Sequence, residues 1–213
     1  KLSEGDNPSN QPRMAIGMNV MACLRILERC GHIEVEDKEV IEVVEILKKQ
    51  QRGLVIESGF KENVAKQLAT KIKNKGVILV AGEHLTGAVH VFKNQLNENA
   101  KTFSVRFDLP ELNHHLLEGL GFPKSLRENM HFVLFDSEIY SVKIRKRLAL
   151  TEEVIVKQGY SITKIKPEAR GILGQVWETI FFGEFVSFYL AMLYKIDPQP
   201  IPWVDYFKQK LEE

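Results

Sequence analysis

The run Val77-Ile78-Leu79-Val80-Ala81, entered through Gly76, does most to limit the folds open to this chain. An apolar run without polar alternation needs cover on both faces when it is a strand, as an inner strand of a parallel sheet has. Parallel neighbours are joined by crossovers long enough to hold a helix. Apolar spacing, caps and breakers predict helices over residues 14–29, 37–49, 62–73, 86–97, 140–157, 171–194 and 203–211, and further strands over 102–107, 131–135 and 160–165. Strands alternating with helices give an α/β fold: a parallel β-sheet flanked by helices on both faces, right-handed crossovers, and extra N-terminal and C-terminal helices.

Local signals refine this. Gly31 is placed to end the first helix and Asp37 to cap the second. Val64, Leu68 and Ile72 form the apolar stripe of the third helix, and Val89, Phe92 and Leu96 that of the fourth. In the last helix Trp203, Val204, Phe207 and Leu211 form the stripe expected to be buried. Residues 1–30 read as a linker and first helix, with Lys1–Gln11 polar and loop-like, and residues 31–213 as one domain. A chain of 213 residues holds one well-buried α/β core with appended helices, not two full domains. It starts at Lys1 rather than Met, as a trimmed or partial chain would.

Its 29 basic and 28 acidic side chains leave a formal net charge of +1, so no global field draws nucleic acid or an anionic membrane. Cys23 and Cys30 are seven apart, on one helix face. That fits neither a disulfide framework nor a CxxC site, and reads as reduced, partly buried thiols in a cytoplasmic protein. The apolar run Thr179–Tyr194 is shorter than the ~20 residues that span a bilayer and contains Glu184, so a buried helix is expected rather than a membrane span. Phe181, Phe182, Phe185, Phe188 and Tyr189 exceed what one helix buries against a modest sheet, which points to a domain or subunit interface. No secretory signal pattern opens the chain.

Proton-transfer chemistry is concentrated between Asn97 and His115. Asn97-Glu98-Asn99-Ala100-Lys101 precedes the strand near 102–107, and Pro110-Glu111-Leu112-Asn113-His114-His115 follows it. A carboxylate and an imidazole at the ends of regular elements suit general acid–base work. Glu98 ends a helix, where the partial negative charge of the last carbonyls is expected to push its carboxyl pKa upward.

Asn-Glu-Asn-x-Lys followed by Pro-Glu-Leu-Asn-His resembles the bifunctional phosphoglucose/phosphomannose isomerases of the sugar isomerase (SIS) superfamily. Gln11-Pro12-Arg13-Met14-Ala15 resembles the segment that opens the family's second half, and Phe207-Lys208-Gln209-Lys210-Leu211 its closing helix. The resemblance implies that Glu98 is the base moving a proton between C1 and C2 of an open-chain sugar phosphate through a cis-enediol. It implies that His114, given across a dimer interface, opens the sugar ring with help from Lys208, and that Arg13 stabilises the enediolate. Periodicity alone does not separate Lys208 from Lys210, and His115 departs from the Asn usual in the family. If Glu98 were not the base, Glu111 would be next.

Gly82-Glu83-His84-Leu85-Thr86-Gly87, after the first strand, offers one hydroxyl and an opposing carboxylate, a poor phosphate cradle. The resemblance assigns phosphate binding to a first SIS domain missing from this sequence, so the chain alone should be weakly active or inactive. It further implies a homodimer and a sugar phosphate substrate; with no clustered His, Cys and carboxylate set of ligand spacing no metal is expected, and an enediol mechanism, needing only acids and bases, calls for no organic cofactor. The other reading is a non-catalytic SIS module that binds a sugar phosphate and regulates a partner. Such a module would want its own Ser/Thr-rich loop and would not need Glu98, His114 and Lys208.

Overall fold

A computed structural model describes Asn7, Ser9 and residues 11–213, so most of the Lys1–Gln11 linker lies outside the described residues. Helix α1 (Ile16–Arg29) follows a 3-10 turn at Pro12–Ala15, and α2 (Asp37–Leu54) and α3 (Val64–Ile72) come before the first strand. Then come β1 (Gly76–Gly82), α4 (Thr86–Glu98), β2 (Ser104–Leu109), α5 (Leu116–Gly119), α6 (Leu126–Asn129) and β3 (Met130–Phe135). The chain closes with α7 (Val142–Lys157), β4 (Ser161–Ile165), α8 (Ile172–Tyr194) and α9 (Pro202–Glu212).

The four strands form one parallel sheet in the order β2-β1-β3-β4. Val77 to Ala81 are all buried. Because successive strand residues point to opposite faces, helices must cover both sides of β1. This is the expected α/β architecture. The order reverses between β1 and β3: the chain leaves β1 for β2 on one side, then returns to β3 on the other.

By internal contacts the chain divides into two compact units, one running up to Val44 and including Gln199–Glu213, the other Glu45–Pro198. The second unit holds the sheet and a continuous apolar core of Leu68, Ile72, Leu79, Phe92, Leu96, Phe132, Phe135 and Leu190 with their neighbours. Helix α8 is long and apolar enough to cross a membrane by length and composition. However, 61% of its most apolar stretch is buried inside the fold, where it packs on α3 and α4. Phe182 and Tyr189 are buried, and Phe181, Phe185 and Phe188 are half-buried against the same core. Within the chain these aromatics have α3 and α4 as packing partners.

Several local expectations are corrected. Asp37 lies in the first turn of α2 rather than capping it, and its carboxylate pairs with Arg25. That helix runs on to Leu54, because Leu54 is buried and its carbonyl is held by Asn63 and Tyr189. Asn63, not Glu62, starts α3: its side-chain oxygen accepts the Lys66 N–H, the usual N-cap bond, and this leaves Val64 exposed. Cys23 and Cys30 are free and exposed rather than partly buried, since α1 buries none of its residues within the chain. Most telling is α9, where Trp203 is 82% exposed, Phe207 61% and Leu211 70%, so the expected buried stripe lies on the surface. The turn at Gly31 is as expected, with φ at +74°, a left-handed conformation that glycine adopts without strain.

Candidate active site

Glu98 is the last residue of α4. Buried Ala88, Val89, Phe92, Gln95 and Leu96 fix that helix against the core, and the residues beside Glu98 fix its end. The Asn97 Oδ1 accepts the Ser104 N–H at 2.9 Å, tying the helix end to the first residue of β2. The Asn99 amide donates to Ser187 Oγ at 3.0 Å, tying it to α8. Glu98 itself is half-buried. The flanking asparagines, unassigned by sequence reasoning, thus hold the backbone that carries Glu98; their place on either side of it was the only available signal.

His114 lies beyond the other end of β2, closing a 3-10 turn at Glu111–His114 that is anchored by fully buried Leu112. Asn113 locks the turn to α7 by donating to Thr151 Oγ1 at 2.7 Å and accepting from Arg147. The His114 side chain is exposed. Its neighbour His115 lies 2.9 Å from Glu111 and tilts against the Phe107 ring, so the carboxylate held in reserve is engaged with the departing histidine.

Glu98 and His114 therefore flank opposite ends of the six-residue strand β2. At ~3.3 Å per residue, that is a separation of about 20 Å. One copy of the chain does not bring them together. Arg13 and Lys208 belong to the other compact unit. The Arg13 guanidinium donates to Gln11 Oε1 at 2.7 Å and to the Gln199 carbonyl at 2.6 Å, while Lys208 sits on exposed α9. Among the described residues Lys210 pairs with Glu213, and no ion pair involves Lys208. This difference was invisible to periodicity.

The switch point between β1 and β3, where α/β sheets commonly bind ligands, is filled by the protein itself. Glu83, at φ +45°, accepts the Ser141 N–H at 3.1 Å and so occupies the start of α7. The Gln175 Oε1 accepts from Ser137 at 2.6 Å and lies 2.9 Å from His84 Nε2, which must then carry the hydrogen. Tyr140 donates to the Phe135 carbonyl and accepts from the Gly82 N–H, and burial drives its phenol pKa upward. The helix start an anion would use is already held by a carboxylate, which is the physical form of the poor cradle read from Gly82–Gly87. Among the described residues no group of three or more His, Cys, Asp or Glu side chains could hold a metal.

Residues 61–211 match the model of the bacterial phospho-glucose isomerase C-terminal SIS domain. The chain belongs to this family. The chain is 28% identical over 207 residues to a bifunctional phosphoglucose/phosphomannose isomerase of Caldicellulosiruptor bescii, covering 95% of this chain and 60% of that protein. It is 24% identical to the same-named protein of Thermoplasma acidophilum, covering 94% of this chain and 59% of the relative. The chain thus spans about 60% of the length of these relatives. Among solved structures, a glucose-6-phosphate isomerase-like protein from Thermus thermophilus superposes with a TM-score of 0.66 at 23% identity, covering 81% of this chain and 57% of that one. At such an identity the structural likeness speaks for the fold.

Proposed function

We propose that this SIS domain is the proton-transferring half of an aldose–ketose isomerase that interconverts glucose 6-phosphate and mannose 6-phosphate with fructose 6-phosphate. The observation that carries the reading is Glu98, fixed at the end of α4 by Asn97 and Asn99 in a chain of this family. Glu98 takes the proton from C2 of the open-chain aldose. The C–H electron pair becomes the C1=C2 bond as O1 gains a proton, giving a cis-enediol. Returning a proton to C1 while O2 loses its own gives the ketose, with no net oxidation.

His114 protonates the ring oxygen to open the cyclic sugar, with Lys208 assisting, and Arg13 stabilises charge on the enediolate oxygens. Residues 31–213 act as the second SIS domain of a two-domain enzyme, after a linker and first helix in 1–30. A first SIS domain grips the phosphate, which suits a switch point already filled by Glu83 here. The protein works in the cytoplasm as a homodimer, and this chain alone turns over little substrate.

The test uses the full-length protein. General-base catalysis is typically worth ~10²- to 10⁴-fold, so Glu98→Gln should lower kcat by about that factor with KM much less changed. Exchange of the C2 hydrogen with solvent should fall in parallel. His114→Ala should impair ring-closed sugars more than open-chain analogues. Near-normal turnover and exchange in Glu98→Gln would remove the assignment and make Glu111 the next candidate base, whereas a wild-type protein without turnover would favour a regulatory SIS module.

A further inference from the structure

The last member of the Asn97–Lys101 motif has no part in the chemistry above, yet its side chain is committed. Lys101 Nζ donates to the Glu98 carbonyl at 2.7 Å and to the Pro198 carbonyl at 3.0 Å, with the Asn99 carbonyl at the outer limit of bonding, 3.5 Å. Lys101 also holds φ at +51°, a left-handed conformation that costs a non-glycine residue free energy. The ammonium thus sits at the C-terminal end of α4, where unsatisfied carbonyls concentrate partial negative charge.

We propose that Lys101 is a positioning residue for Glu98. Its left-handed backbone turns the side chain back so that one cation bonds the carbonyl of Glu98 itself and the segment that leaves α8 at Pro198. Asn97 fixes this turn to β2 and Asn99 fixes it to α8, and Lys101 supplies the third tie. Three anchors in different directions define where the Glu98 Cα lies, and so the point from which its carboxylate reaches. A displacement of about 1 Å at a reacting group can cost ~10²-fold in rate, so the third tie bears on kcat rather than on substrate grip. The inference rests on Glu98 being the base.

The experiment is a double-mutant cycle in the full-length protein, reading kcat, KM and C2-hydrogen exchange with glucose 6-phosphate, with a thermal melt of each variant. Lys101→Asn is the informative change: asparagine tolerates the left-handed conformation but is too short to reach Pro198. It should lower kcat and exchange by roughly 10- to 100-fold with KM within about threefold, and Lys101→Arg should restore most of the loss. Added to Glu98→Gln, Lys101→Asn should cause no further drop, because residues that act as a unit are non-additive. Should Lys101→Asn fail to fold, Lys101→Gln carries the same cycle. Losses that multiply in the double variant, or a Lys101→Asn enzyme of normal kcat beside an inactive Glu98→Gln, would overturn the positioning role alone. An active Glu98→Gln enzyme would overturn it together with the base assignment.

Discussion

His131 shows how much one buried side chain can set. It lies on β3, buried, with Nδ1 2.9 Å from Ser161 Oγ and Nε2 2.9 Å from Thr163 Oγ1, both on the neighbouring strand β4. Burial first, then the Lys75 and Lys71 charges, push its pKa down to about 4. A histidine whose folded pKa lies below its unfolded value of about 6.5 stabilises the fold above that value and loses the contribution as pH falls through the folded one. Between pH 6.5 and about 4 the domain should therefore lose up to roughly 3 kcal/mol from this site. Urea midpoints across that range should fall for the wild type and stay flatter for His131→Gln. Equal slopes would move the pH dependence elsewhere. Glu178 carries the opposite sign: burial raises its carboxyl pKa while it accepts the Ala169 N–H at 2.7 Å, so its contribution fades as pH rises.

Between elements, the contact of α4 with α8 decides where Glu98 sits. Gly183 makes the close approach possible, since a Cβ there would lie 2.3 Å from Gln95 Oε1 and 2.7 Å from Phe92 Cγ. Phe92 has no room to yield: it is fully buried and stacked edge-on against Phe135 and Phe182. Gly183→Ala gains about 1 kcal/mol of helix propensity, but overpacking should cost more, for a net loss of about 1–3 kcal/mol. Gly87→Ala, near the start of α4 with nothing within 4 Å of the added carbon, is the control and should be neutral or slightly stabilising. Chemical denaturation of both variants measures the difference. A neutral Gly183→Ala would mean the two helices can separate at little cost.

For the whole molecule, the separation of Glu98 and His114 along β2 is the governing fact. If both serve one reaction, as proposed, each site draws its base from one copy and its histidine from another. Mixing full-length Glu98→Gln with full-length His114→Ala under subunit exchange should then restore activity that neither has alone. In the mixed dimer one of the two sites receives both native residues. No recovery, with exchange of subunits confirmed by mass, would place both residues in the same copy's site or remove one of them from the reaction.

Much of this was legible along the chain because it depends on local patterning. The apolar run Val77–Ala81 forces an inner parallel strand, and the periodicity of Val89, Phe92 and Leu96 gives the buried face of α4, so the α/β architecture follows from short-range signals. The Asn97–Lys101 and Pro110–His115 motifs marked both ends of β2. What each residue near them does was decided in three dimensions. Asn97 meets Ser104, Asn99 meets Ser187 and Lys101 meets Pro198, across separations of up to 97 residues that no local signal encodes. The same holds for the filled switch point, where Glu83 reaches Ser141 only because β1 and β3 are neighbours in the sheet. It holds equally for Trp203, Phe207 and Leu211, whose spacing fixes a helix face but not whether anything covers it. Periodicity reports which side of an element is apolar; only packing determines what stands opposite.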